Sequence, residues 1–350
     1  MLLSNTSIDT IVKINFNKEK RAMINCIKKI INEVDAIEFG GGVRDSIISQ
    51  HYTNEFFDKN TPNIANRYTY WNTTVSPETS ARTLVPNDID VYFSNIDNYN
   101  NFINKIKYTF TDATINIKQY NISEYTGIEI SEDLTHNVMK IIYTVGKTFV
   151  FNGYKIILKI DMITLNSNNI TIEPPFNNCD MLCNILIRDK NGIRLSKNTG
   201  TDIDYLTEYK KSQLYAKIMK NIINFETDFC SKNDNINSDI YNCRRILNMI
   251  NKPFHWTINN SPFNIIKKSN DNDVSLECVI CKEYILNSID LIQITSTKNL
   301  LHRECFNDYI QFQLSNPYKN KDGKKIIRCP YRTEFNFSDC YKCLDLKNYI

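Results

Sequence analysis

The stretch Phe39-Gly40-Gly41-Gly42-Val43-Arg44-Asp45, followed at a distance by Asp88-Ile89-Asp90-Val91, decides how the chain is read. On a strand, residues i and i+2 share a face, so Asp88 and Asp90 project together while Ile89, Val91 and Phe93 pack on the other side. Magnesium prefers hard carboxylate oxygens, and two carboxylates so spaced can chelate the same Mg2+ ions. Without Cβ atoms, Gly40 and Gly41 let backbone N–H groups approach phosphates, and a helix beginning near Val43 aims its positive end at them. Together these residues make a grip for a nucleoside triphosphate (NTP) and its metal. Asp161, in the apolar run Lys159-Ile160-Asp161-Met162-Ile163, is the candidate third carboxylate. Two magnesium ions held a few ångströms apart by such a trio would activate a hydroxyl and neutralise the charge building on the α-phosphate.

Each piece has a plainer reading. A glycine run is usually a turn, and an Asp-x-Asp pair is often a solvated strand face. The order along the chain carries the argument. Residues 18–33 read as an amphipathic helix through Met23, Ile24, Ile27, Ile30 and Ile31; residues 36–39 read as a strand; then follow the glycine turn, a helix, the acidic strand and a later acidic strand. Residues of about 50–86, with Pro62, Pro77 and Pro86, read as a polar surface insertion. A helix is expected over 96–109 and strands over 114–121, 138–145, 147–151 and 155–165, with Asn152-Gly153 as the hairpin turn that lays the Asp161 strand in the sheet. Two short strands flank Lys190-Asn191-Gly192, and the pattern from Tyr205 to Ile250 is helical.

These motifs resemble the nucleotidyltransferase superfamily that includes DNA polymerase β, and more closely the head domain of tRNA CCA-adding enzymes and bacterial poly(A) polymerases. The likeness covers roughly residues 20–200 and rests on the glycines with Val43-Arg44-Asp45 and on the Asp88–Asp90 strand. It implies that Asp88, Asp90 and Asp161 are catalytic and that Gly40, Gly41, Arg44, Asp180 and Asn184 bind nucleotide. Asp180 and Asn184 match a later family motif, Arg-Arg-Asp-Phe-Thr-x-Asn, but Asn178-Cys179 stand where that motif has two arginines. Arg44 has two readings, a phosphate ligand or an ion pair with Asp45 that fixes the turn. The resemblance further implies RNA 3′ ends as acceptors. Transfer of AMP to a protein hydroxyl would use the same triad.

Near the other end, Cys278-Val279-Ile280-Cys281 precedes Leu301-His302-Arg303-Glu304-Cys305, and later Cys329. Tetrahedral zinc takes thiolates and imidazole, and a Cys-x2-Cys knuckle sets two sulfurs on one ion. Cys278, Cys281, His302 and Cys305 are therefore the expected Zn2+ ligands. The segment is similar to a RING finger whose first site is kept and whose second is degenerate: Thr297, Asn299 and Arg332 stand at ligand positions, and Cys340-x2-Cys343 offers a replacement knuckle with Cys329. A RING finger recruits a protein partner and does no chemistry itself. A docking module is favoured; an adaptor or ubiquitin ligase with a catalytically dead first domain is the alternative.

The expected architecture is α+β. Residues 1–200 form a nucleotidyltransferase-like domain with a mixed sheet; 201–266 are a helical segment, 267–275 a polar linker and 276–350 a small RING-like zinc domain. The 350 residues carry a net charge of +3, and mean hydropathy is −0.39, which suits a globular protein but does not by itself argue for nucleic acid. No signal-peptide stretch or membrane-spanning run is expected. Eleven cysteines, six of them between Cys278 and Cys343, favour metal binding in a reducing, cytoplasm-like compartment over disulfides.

Overall fold

A computed structural model describes residues 5–57, 88–111, 113–121, 138–148, 155–164, 173–174, 180–197, 202–230, 238–250, 252, 256–266, 277–283, 291–294, 300–319, 323 and 325–330. The chain is mixed α+β and divides into two compact units. Residues 1–177 and 184–204 form the first, residues 178–183 and 205–350 the second.

The first unit is built on a seven-stranded mixed sheet. Its elements are α1 (Asn5–Glu33), β1 (Ile37–Phe39), α2 (Gly41–Phe57), β2 (Asp88–Phe93), α3 (Ile96–Thr109), β3 (Thr114–Asn121), β4 (Val138–Thr148), β5 (Lys155–Thr164), β6 (Leu186–Asp189) and β7 (Gly192–Leu195). The strand order is β3-β4-β5-β2-β1-β6-β7. The β2–β5 pair is parallel, and the other pairs are antiparallel. Helices α1 and α3 cover one face. Ile24, Ile27, Ile30 and Ile31 of α1 and Tyr99, Phe102, Ile103 and Ile106 of α3 pack on Ile89, Val91 and Phe93 of β2 and on Leu158, Ile160 and Met162 of β5. Each such side chain, fully buried, contributes about 1.5–3 kcal/mol, so this layer fixes the strands whose alternate residues face the other way. Asn95 caps α3, accepting the Asn98 N–H at 2.8 Å, and Asp97 sits in the first turn, where a negative charge suits the helix dipole.

Three element boundaries differ from the sequence reading. Helix α1 begins at Asn5 rather than near residue 18, because no glycine or proline interrupts residues 5–17. Helix α2 begins at Gly41, within the glycine run, and extends to Phe57, into the stretch read as insertion. β4 is one strand over Val138–Thr148, with a register shift between Val145 and Thr148 where a break into two strands was expected. The hairpin turn at Asn152-Gly153 and the rest of the expected insertion, residues 58–86, lie outside the described residues.

The second unit contains α4 (Glu208–Ile223), β8 (Glu226–Asp228), α5 (Ser238–Ile250), β9 (Thr257–Asn259), β10 (Phe263–Ile266), β11 (Leu291–Ile294), β12 (Leu300–His302), α6 (Arg303–Ser315), β13 (Tyr318–Lys319) and β14 (Lys325–Ile326). Strands β10-β11-β12 form an antiparallel sheet, and β8 pairs in parallel with β9. β8 interrupts the expected helical run. Asn224 ends α4, and Phe225 at φ 58° turns the chain into the strand. Among the described residues, no helix is long and apolar enough to cross a membrane.

Candidate functional site

β1 ends at Phe39, and the chain turns through Gly40 into α2. Gly40 has φ +72°, and a Cβ there would lie 2.7 Å from Asp90 Oδ2. The position therefore requires glycine twice over, for backbone conformation and for the close approach of a carboxylate. Gly41 is the first residue of α2. A Cβ on Gly42 would meet Glu38 Oε1 at 3.2 Å and the Asp88 carbonyl at 3.5 Å, so the start of α2 lies tight against β1 and β2.

The register of β2 and β5 settles which aspartates share a face. Asp88 lies opposite Lys159, and Asp90 opposite Asp161, on parallel neighbouring strands. Directly opposed residues share a face. Asp88, Asp90, Lys159 and Asp161 thus stand on one side of the sheet, opposite the layer of α1 and α3. Asp88 is exposed, Asp90 half-buried and Asp161 buried. Lys159 Nζ lies 2.7 Å from Asp161 Oδ2. The sequence reading passed over Lys159, although its place two residues before Asp161 on a strand already put it on the acidic face. The three aspartates are not drawn into one compact donor group as the cysteines and histidine of the second unit are. Among the described residues, Cys278, Cys281, His302 and Cys305 are the one group of three or more metal-type side chains so gathered.

Arg44 is buried and turned to its neighbours. Its Nε and Nη2 contact Asp45 Oδ1 at 2.8 and 2.7 Å, and its Nη1 donates to Asn184 Oδ1 at 3.1 Å. The ion pair with Asp45 is present, and Asn184 is a second partner. Asp180 belongs to the second unit, where its carboxylate pairs with Arg245 of α5 and its carbonyl accepts the Cys230 N–H at 2.8 Å.

On the α1 side of β1, buried Glu38 is held by two cations. Lys28 Nζ lies 3.1 Å from Oε1 and Arg188 Nη1 lies 3.0 Å from Oε2. Lys28 also reaches the Ser46 hydroxyl, which donates to the Gly42 carbonyl at 2.7 Å. Burial holds the Lys28 ammonium below its usual pKa, against the opposing pull of Glu38. This network ties α1, β1, β6 and the first turn of α2 together beside the glycine turn.

In the second unit, the knuckle at Cys278–Cys281 is a tight turn. The Lys282 N–H donates to the Cys278 carbonyl at 2.8 Å, the Cys278 N–H to the Glu283 carbonyl at 2.9 Å, and Lys282 takes φ 65°. His302 ends β12, and Cys305 lies in the first turn of α6. The four ligand atoms all lie within 4.8 Å of one another, with His302 Nδ1 3.3 Å from Cys281 Sγ and 4.0 Å from Cys305 Sγ. Burial, then the neighbouring Cys281 and Cys278 sulfurs, push the Cys305 thiol up to about 12. Burial also acts to raise Cys278, but backbone N–H groups of Cys281, His302 and Ile280 outweigh it and lower that thiol. Three sulfurs and one imidazole at this spacing fit a soft, tetrahedral ion, and the cluster can hold a metal such as zinc. Behind it, Phe306 packs on Phe263 with ring centroids 4.9 Å apart, and Gln313 exchanges hydrogen bonds of 2.7 and 2.8 Å with the Arg328 backbone. Cys329 is buried. Thr297, Asn299, Arg332, Cys340 and Cys343 lie outside the described residues.

No protein family, no curated protein and no solved structure matches the chain.

Proposed function

We propose that the chain is a nucleotidyltransferase of the polymerase β superfamily, similar to CCA-adding enzymes, with a zinc-stapled docking module in its second unit. One observation carries this reading: Asp90 and Asp161 stand opposite each other on parallel strands, with Asp88 on the same face and Gly40 against the Asp90 carboxylate. Hard oxygen donors of this kind fit Mg2+. Asp88 and Asp90 would hold the ion, with Asp161 on the same face opposite Asp90 and paired with Lys159. Mg2+, when bound, supplies charge neutralisation at the α-phosphate. The rest falls to the chain. Gly40 leaves room for the Asp90 carboxylate at the turn. The N-terminal backbone N–H groups of α2, starting at Gly41, face phosphate oxygens. Arg44, bound to Asp45 and Asn184, steadies the first turn of α2. The acceptor hydroxyl, on an RNA 3′ end, bonds to the α-phosphorus; the bond to the bridging oxygen breaks, pyrophosphate leaves, and the hydroxyl proton passes to solvent.

The test is incorporation of labelled NTPs into RNA by the purified protein. Replacing Asp88→Asn together with Asp90→Asn should cut the rate by on the order of 10²–10³-fold or more. Activity that survives this double change sinks the reading. A second reading has its own support, since the compact metal cluster belongs to the second unit and Asp161 is engaged by Lys159. In it the chain is a RING-type adaptor, and zinc-dependent capture of a protein partner would occur without magnesium-dependent turnover.

A further inference from the structure

Asp88, Asp90, Lys159 and Asp161 form a two-by-two block on adjacent parallel strands, with Asp88 beside Lys159 and Asp90 beside Asp161. The two rows differ in environment. The Lys159–Asp161 pair is the closed side: the aspartate side chain is 5% exposed, the lysine 29%, and their N···O distance is 2.7 Å. The Asp88–Asp90 pair is the open side, exposed and half-buried. Three carboxylates and one ammonium leave a net charge of −2, which a single divalent cation neutralises. A second divalent ion on Asp161 would have to displace an ammonium already in contact. The buried carboxylate already has a counter-ion at contact distance, so an incoming cation gains only the difference between the two pairings. Magnesium is a poor competitor there, since it dehydrates reluctantly and keeps several waters.

Resting on the nucleotidyltransferase reading, we propose that Lys159 takes the place of the second metal. The site binds one divalent ion, through Asp88 and Asp90, and the Lys159 ammonium holds Asp161 where a second ion would otherwise sit. Lys159 is then a permanent part of the site's charge, present with or without nucleotide.

Mn2+ electron paramagnetic resonance on the zinc-loaded 350-residue chain, with α,β-methylene ATP bound, tests this. Two Mn2+ ions a few ångströms apart give a spin-coupled spectrum, and one ion gives an isolated signal. The wild type is expected to show the isolated signal, as is Lys159→Arg. Lys159→Met, which removes the charge, is expected to show the coupled spectrum. A coupled pair in the wild type, or an isolated signal in a folded Lys159→Met, overturns the inference alone. Absence of protein-bound Mn2+ in the wild type, or a signal unchanged by Asp88→Asn with Asp90→Asn, overturns the nucleotidyltransferase reading and the inference with it.

Discussion

Replacing Gly40 by alanine would set a methyl group 2.7 Å from Asp90 Oδ2 and force an L-residue to hold φ near +72°. The backbone cost alone is roughly 1–2 kcal/mol, and the carboxylate has to move. Chemical denaturation should register that loss, and Mn2+ binding to Gly40→Ala should weaken; unchanged binding would show that Asp90 does not depend on the turn. At the cysteine–histidine cluster, pH acts through Cys305. Its thiol is raised to about 12, so without metal it is protonated throughout the neutral range. Only the thiolate binds zinc, so binding must expel that proton. Zinc affinity should therefore climb with pH by at least about one log unit per unit between about pH 6 and pH 8, and fall on acidification. Competition with a zinc chelator across that range measures it, and a flat profile contradicts the assignment. Most of these residues were legible in the sequence, because glycine runs, alternating aspartates and Cys-x2-Cys spacing are local patterns. The partner of Asp180, Arg245, was not legible, because the two are separated by 65 residues and meet only in the fold.

Between elements, the site depends on how β1, β2 and β5 are aligned. Local alternation placed Asp88 and Asp90 on one face of β2. It could not say that β5 lies beside β2, in parallel and with Asp161 opposite Asp90. That register follows from burying Leu158, Ile160 and Met162 under the same helices as Ile89, Val91 and Phe93, since a slip of one residue would turn the aspartates into the core. The start of α2 is held separately, by Glu38 between Lys28 and Arg188. Glu38→Gln removes the anion and leaves two largely buried cations facing each other, at a cost of about 3–5 kcal/mol. Urea unfolding should show a loss of that size. A loss below about 1 kcal/mol would mean the cations relax into solvent.

In the whole molecule, two units carry two separate chemistries, hard oxygens in the first and soft sulfur in the second. Chelation should therefore act selectively. Removing zinc should disorder the packing around Phe306 and Phe263 and loosen the second unit. Buried Trp256, stacked edge-on against Phe225 at 5.7 Å, reports on that unit in a Trp71→Phe background. Its emission should shift to the red, and limited proteolysis should attack residues beyond 205 first. The same treatment should leave the acidic face of the first unit able to bind Mn2+. Simultaneous loss of both would show that the units do not respond independently.

By itself, the sequence determined the chemistry available: the candidate ligand types, their local spacing, and the alternation that sets Asp88 and Asp90 on one face of β2 and Ile89, Val91 and Phe93 on the other. These follow from backbone geometry within a few residues. The tertiary structure decided which strands are neighbours, that Arg44 reaches Asn184, that Asp180 meets Arg245, and that Asp180 and Asn184 fall in different units. Those outcomes depend on long-range packing of the core, and no local pattern encodes which distant residue a buried charge will meet.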